Sequence, residues 1–258
     1  MAATGLAHAR PGDSRDLGER DWSAVSSMAA ADGRIYIGSA VALWESDRAG
    51  KARALKGPAG WGRTTRLASL DGKVYAINEE KLYEVDPKGG IRHLGDDWPG
   101  VRGMAGLDGK LYIVSGEELY AVEKNGQFRK LGEGWYNVKG MAAVEGKLYI
   151  VSRDRVHEVD LATGQGRAFG DAFENPHAMA AADGRLFVFA FERNNSGRGS
   201  INEPAVFAFA PGGAREKLQP PKGWEQGTGT SAMAADGANL YLSMPSMSRS
   251  RFFSLSFR

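Results

Sequence analysis

Three basic residues occupy one repeated position in this chain. Arg102, Lys139 and His177 each stand two residues before a methionine, and Ser26, Thr65 and Ser231 stand in the same relation to Met28, Leu67 and Met233. Cationic side chains at one position of consecutive repeats converge on one place, where they suit an anionic group or a row of ordered waters. In an enzyme, His177 would be the general base, with Arg102 and Lys139 stabilising developing negative charge. A second series is aromatic. Trp22, Trp61, Trp98 and Trp135 lie six residues before the same methionine or leucine, Phe173 holds that place once, and Trp224 is displaced from it by three. An indole pairs its face with the C–H face of a sugar and donates through its N–H; the competing role is ring packing beneath a loop.

Much other chemistry is excluded. With no cysteine, there are no disulfides, thiolate zinc sites, iron–sulfur clusters or cysteine nucleophiles. Four dispersed histidines lack acidic neighbours at ligand spacing, so neither a metal nor another cofactor is expected. No serine–histidine–acid arrangement stands at a telling spacing. A net charge of +2 makes no case for nucleic acid. No apolar run is long enough for a signal peptide or a membrane span, which suggests a cytoplasmic protein, or one released without a classical signal, and a monomer.

The elements that would position these residues come from an internal repeat. Gly33, Gly72, Gly109, Gly146, Gly184 and Gly237 recur at spacings of 39, 37, 37, 38 and 53 residues. Each closes a turn between an apolar run and a Leu-Tyr-like run, a strong hairpin signal. The 35 glycines are about twice the usual ~7% share and are explained largely by such turns. The third repeat divides into four strands: Val101 to Leu107, Lys110 to Ser115, Leu119 to Glu123 and Gln127 to Leu131. No segment keeps a helical period. The last repeat stops at its third strand, Phe252 to Leu255, and the missing fourth is supplied by Arg15 to Gly18 near the N-terminus. That exchange closes a ring. The fold predicted is an all-β, six-bladed β-propeller of four antiparallel strands per blade, the last blade built three plus one. Residues 13–258 form the propeller, with blades near 19–56, 57–95, 96–132, 133–170, 171–219, and 220–258 plus 13–18; residues 1–12 are expected to be a disordered tail.

The repeated Tyr36, Tyr75, Tyr112, Tyr149, Trp44, Tyr83 and Tyr120 are expected in the core, and His157 is expected to be packed or at the surface. Departures from the repeat fall on one face. Residues 192–203, with Arg193, Asn194 and Asn195, read as a long loop in blade five; the Pro245 to Ser250 and Pro220 to Thr230 segments are longer in blade six. Such departures are where a repeat protein often carries function, although surface insertions are also tolerated cheaply.

The run Gly134-Trp135-Tyr136-Asn137-Val138-Lys139, followed by Gly146-Lys147-Leu148-Tyr149-Ile150-Val151, resembles the repeat of tachylectin-2-like propeller lectins. Gly60-Trp61, and Trp98 with Val101-Arg102, match it less fully; quinoprotein-like and kelch-like repeats share the Gly-x-Leu-Tyr-x-Val phrase. The lectin resemblance implies sugar binding between adjacent blades without metal or catalysis. Only the tryptophan positions carry over, because this chain has six shorter and less uniform repeats. The expectation is thus a carbohydrate-binding propeller using Trp22, Trp61, Trp98, Trp135 and Trp224, with Arg102, Lys139, His177, Arg193, Asn194 and Asn195 as polar neighbours. The alternatives are a metal-free enzyme at the channel mouth of blades three to six, with residues 192–203 as its lid, and a protein-interaction platform.

Overall fold

A computed structural model describes residues 14–20, 24–57, 60–194, 201–218, 232–245 and 250–257. Its strands form six four-stranded antiparallel sheets arranged in a ring, a six-bladed β-propeller. The sheets follow the repeat. In blade three, strands Val101–Leu107, Lys110–Ser115, Glu118–Val122 and Phe128–Glu133 run from the axis outward. The tight turns at Asp32/Gly33 and Asp108/Gly109 put both residues at positive φ, near +50° and +70°. That is the twist a two-residue hairpin needs.

The ring closes as the chain ends imply. Strand Ser14–Arg20 pairs antiparallel with Ser250–Ser256, so the sheet order in the last blade ends on the N-terminal strand. Leu17 is buried with Val25, Met28, Ile35, Ile37, Ala232, Ala234, Tyr241 and Phe252 in the core between blades six and one. The segment therefore removes an open edge and fills a core at once.

Each core cluster spans two neighbouring blades. Tyr75, Ile77 and Leu82 of blade two, for example, pack with Trp98, Val101, Met104 and Leu111 of blade three. Of the aromatics expected in the core, Tyr36, Tyr75, Tyr112, Tyr149 and Tyr83 are buried, while Trp44 and Tyr120 are half-buried. Crowding is greatest near the axis. A Cβ on Gly106 would lie 2.2 Å from the Ser69 carbonyl oxygen, and one on Gly103 would lie 2.6 Å from Met141 Sδ. Small residues there let the inner strands approach.

Blade five corrects one expectation. Of residues 192–203, expected as a long loop, 192–194 and 201–203 are paired strand, because strands Arg185–Asn194 and Ile201–Phe209 keep pairing out to Asn194 opposite Ile201. The hairpin is extended in register, so Arg193 and Asn194 are strand residues, and Asn195 lies outside the described residues. The same holds for Pro220 to Thr230, and in blade six Pro245 pairs with Ser250.

Truncating the buried Leu17 should show what closure contributes. Leu17→Ala is expected to cost about 2–5 kcal/mol, the range for a buried leucine, read from urea unfolding. A loss below ~0.5 kcal/mol would mean that the strand is an ornament.

Candidate functional site

The inner strands leave a channel along the ring axis. At the end where they begin, a cavity of about 110 Å3 is lined by Ser26, Arg66, Arg102, Lys139 and His177, with the ring Met28, Leu67, Met104, Met141, Met179 and Met233 below it. No carboxylate lines this cavity among the described residues. The structure thus brings Arg102, Lys139 and His177 together as expected.

Backbone bulges aim these groups. Val101 pairs with Ser115 and Gly103 with Val114, which leaves Arg102 unopposed. Val138 pairs with Ser152 and Gly140 with Val151, which leaves Lys139 unopposed. A residue left over by a bulge is turned out of the ladder, a device that re-aims side chains. In blade five a longer irregularity separates the Glu174 and Ala178 pairs and carries His177.

Blade two departs from the expected column. Its unopposed residue, Thr65, is exposed, and the channel instead receives the next residue, Arg66. The Arg66 guanidinium donates from Nε to the Arg102 carbonyl at 2.8 Å and from Nη1 to the Thr65 carbonyl at 2.7 Å. Burial, and then the Arg102 charge, push its pKa below the usual arginine value. A signal for Arg66 exists in the sequence. The residues at its place in the other blades are Ser27, Gly103, Gly140, Ala178 and Ala232, so it alone is charged in a column of small residues.

His177 lies edge-on to Phe189 and Phe191, with ring centroids 6.0 and 5.3 Å away. Burial, and then the Lys139 charge, lower its pKa. Both causes disfavour the charged imidazole. Its Nε2 is buried and has no hydrogen-bond partner among the described residues. Opposite charge marks the other end of the channel, where the turn residues Asp32, Asp71, Asp108 and Glu145 line a wider cavity of about 460 Å3.

The tryptophans sit elsewhere and do different work. Trp61, Trp98 and Trp135 are only 3%, 3% and 4% exposed. Trp98 meets Tyr120 and Phe128 edge-on, Trp61 meets Tyr83, and Trp135 meets His157. Trp135 Nε1 donates to the Gly164 carbonyl at 3.2 Å. The backbone N–H of Trp98 and Trp135 donates to the preceding blade at Glu80 and Glu117. Contrary to the stacking expectation, these rings lock adjacent blades and present no free face, because the turn into each inner strand buries them under the neighbouring sheet. Trp22 and Trp224 lie outside the described residues, as do the side chains of Arg193 and Asn194.

No family model and no curated protein matches the chain. Solved structures do resemble it. A gluconolactonase from Xanthomonas campestris superposes with a TM-score of 0.67 at 15% identity, covering 98% of this chain and 93% of that one. The virginiamycin B lyase of Staphylococcus aureus gives 0.63 at 13% identity, covering 95% and 99%. The WD40 domain of Neurospora crassa Pan2 gives 0.55 at 8%, covering 96% and 98%. The likeness is one of fold. It bears out the propeller part of the resemblance found in the sequence.

The buried histidines generate a pH prediction. His157 and His177 both have lowered pKa values, chiefly through burial. The unfolded chain takes up protons near the ordinary value of about 6.5 while the folded chain refuses them. Stability is therefore highest above that value and falls as pH drops through it towards the folded values. The urea midpoint should decline over that window, and His157→Gln/His177→Gln should flatten the decline. An unchanged profile in the double variant would contradict the assignment.

Proposed function

We propose that the protein is a ligand-binding propeller that takes a small anionic molecule at the basic mouth of its channel. The observation that carries this reading is the convergence of Arg66, Arg102, Lys139 and His177 on one cavity whose lining holds no carboxylate. Four nitrogenous groups without a neutralising partner in the lining set up a positive potential that a carboxylate, phosphate or acidic sugar would relieve. Narrow walls strengthen that potential relative to open water. The methionine and leucine ring beneath limits how deep a ligand reaches.

The carbohydrate reading changes character in this light. Stacking on Trp61, Trp98 and Trp135 is disfavoured by their burial. A sugar recognised here would be held by charge and hydrogen bonds, and so would carry an acidic group. Neutral N-acetylated sugars would bind poorly.

A second reading rests on one observation, the His177 imidazole in the cavity lining with its pKa lowered by burial and by Lys139. A neutral imidazole can remove a proton from carbon next to a carboxylate, while Arg102 and Lys139 stabilise the charge that develops. A gluconolactonase and a lyase among the structural neighbours show that this fold accommodates enzymes. An interaction platform on the extended blade-five hairpin is supported by its length alone.

Calorimetric titration with phosphate, citrate, glucuronate and N-acetylglucosamine tests the proposal. Anions are expected to bind and N-acetylglucosamine is not. Arg102→Gln and Lys139→Gln should each weaken anion binding about tenfold, near 1.4 kcal/mol, and added salt should weaken it further. Tight binding of N-acetylglucosamine, unaffected by either substitution, would overturn it.

A further inference from the structure

The blades repeat a polar cluster on the flank of their outer strands, and blade three is missing one member of it. In blade two, Glu84 receives Lys73 Nζ at 2.7 Å, Arg92 Nη2 at 2.9 Å and the Tyr75 hydroxyl at 2.8 Å. Burial opposes ionisation of Glu84, but the hydrogen bonds from Arg92, Lys73 and Tyr75 outweigh it and hold the carboxyl at about 2. In blade one, Glu45 receives Arg34 at 2.8 Å and Arg53 at 2.7 Å. In blade four, Glu158 meets Lys147 at 3.0 Å, with Tyr149 and Arg167 further off. In blade five the acid has moved one strand outward, where Glu216 meets Arg185.

Blade three keeps the donors and lacks the acceptor. Tyr112 pairs across to Ala121, and Ala121 to Arg129, in the register that joins Tyr75, Glu84 and Arg92 in blade two. Both blades carry a bulge at the same place in the outer pair, between Leu82 and Tyr83 and between Leu119 and Tyr120. The backbone around the position is thus alike, yet a methyl group stands where blades one, two and four have a carboxylate. Arg129 and the Tyr112 hydroxyl have no ion pair or hydrogen bond among the described residues. Lys110 turns sideways to Glu123 at 2.7 Å.

We infer that blade three carries an anion niche, formed by Tyr112, Arg129 and Lys110 over Ala121, which takes a carboxylate from outside the chain. Blade two shows that a lysine, a tyrosine and an arginine at this spacing close around a carboxylate with charge-assisted bonds of 2.7–2.9 Å. Replacing glutamate by alanine leaves room for a short carboxylate or the end of an acidic side chain. The niche spans the second to fourth strands of the blade and shares no residue with the channel mouth. Its carboxylate comes either from a small free acid or from an aspartate or glutamate of a protein partner.

The test is a titration of [15N]arginine-labelled protein with sodium acetate against sodium chloride at fixed ionic strength, following the Nε–H signals. One arginine signal, identified by its loss in Arg129→Gln, is expected to shift saturably with acetate and not with chloride. Ala121→Glu supplies the carboxylate internally, so it should abolish the acetate response and raise the denaturation midpoint. Arg129 is exposed, so Arg129→Gln keeps the test decisive if the Ala121 variant fails to fold. A parallel titration with a blocked Gly-Glu-Gly peptide separates the two sources. Binding at least tenfold tighter than acetate identifies a protein side chain, and equal or weaker binding identifies a free acid. An acetate effect matched by chloride, or one that persists in Ala121→Glu, overturns the inference.

Discussion

Ring closure is the constraint on which everything else in this molecule depends. Six twisted sheets meet around an axis only if their innermost strands come close enough to pack and no strand edge is left open at the seam. The first condition puts small residues and flexible methionines nearest the axis, as the fit of Met141 against Gly103 shows. The second is met by Ser14–Arg20, which lends its edge to the last blade and Leu17 to the core beside it. Aromatic residues then fill the widening wedge between blades, and the buried tryptophans tie each connection to the sheet before it.

The candidate site lies where closure is satisfied and side chains are released from packing. The first residues of the inner strands sit at the rim, where a bulge costs little pairing and turns an extra side chain towards the axis. Three blades use that freedom for Arg102, Lys139 and His177, and a fourth contributes Arg66 from the neighbouring position. The strand order is the same in every blade, so the asymmetry of this rim comes from its side chains and from the longer irregularity in blade five. At the opposite rim, turn carboxylates give the channel the other sign of charge.

The architecture was legible in the sequence because its determinants are local and repeated. Six Asp-Gly or Glu-Gly-like turns, the Leu-Tyr runs and the relocated fourth strand specify blade number, strand count and closure. The basic cluster was legible for the same reason, since Arg102, Lys139 and His177 share one place in the repeat. Bulges were not legible, because they depend on pairing across the sheet; hence Thr65 stood for Arg66. Burial of the tryptophans was ambiguous as well, since an indole beneath a loop and one above it have the same neighbours in sequence. Residues 192–203 look like a loop because polar residues and glycines interrupt the run. The pairing of 192–194 with 201–203 continues the register of Phe187 to Phe191.

The central claim is that the basic mouth of the channel is a place for negative charge. Anomalous diffraction from a bromide-soaked crystal tests it most directly. The account predicts a bromide bounded by Arg66, Arg102, Lys139 and His177, lost in crystals of Arg102→Gln/Lys139→Gln. Ordered bromide elsewhere on the surface, with only solvent at the mouth, would contradict it.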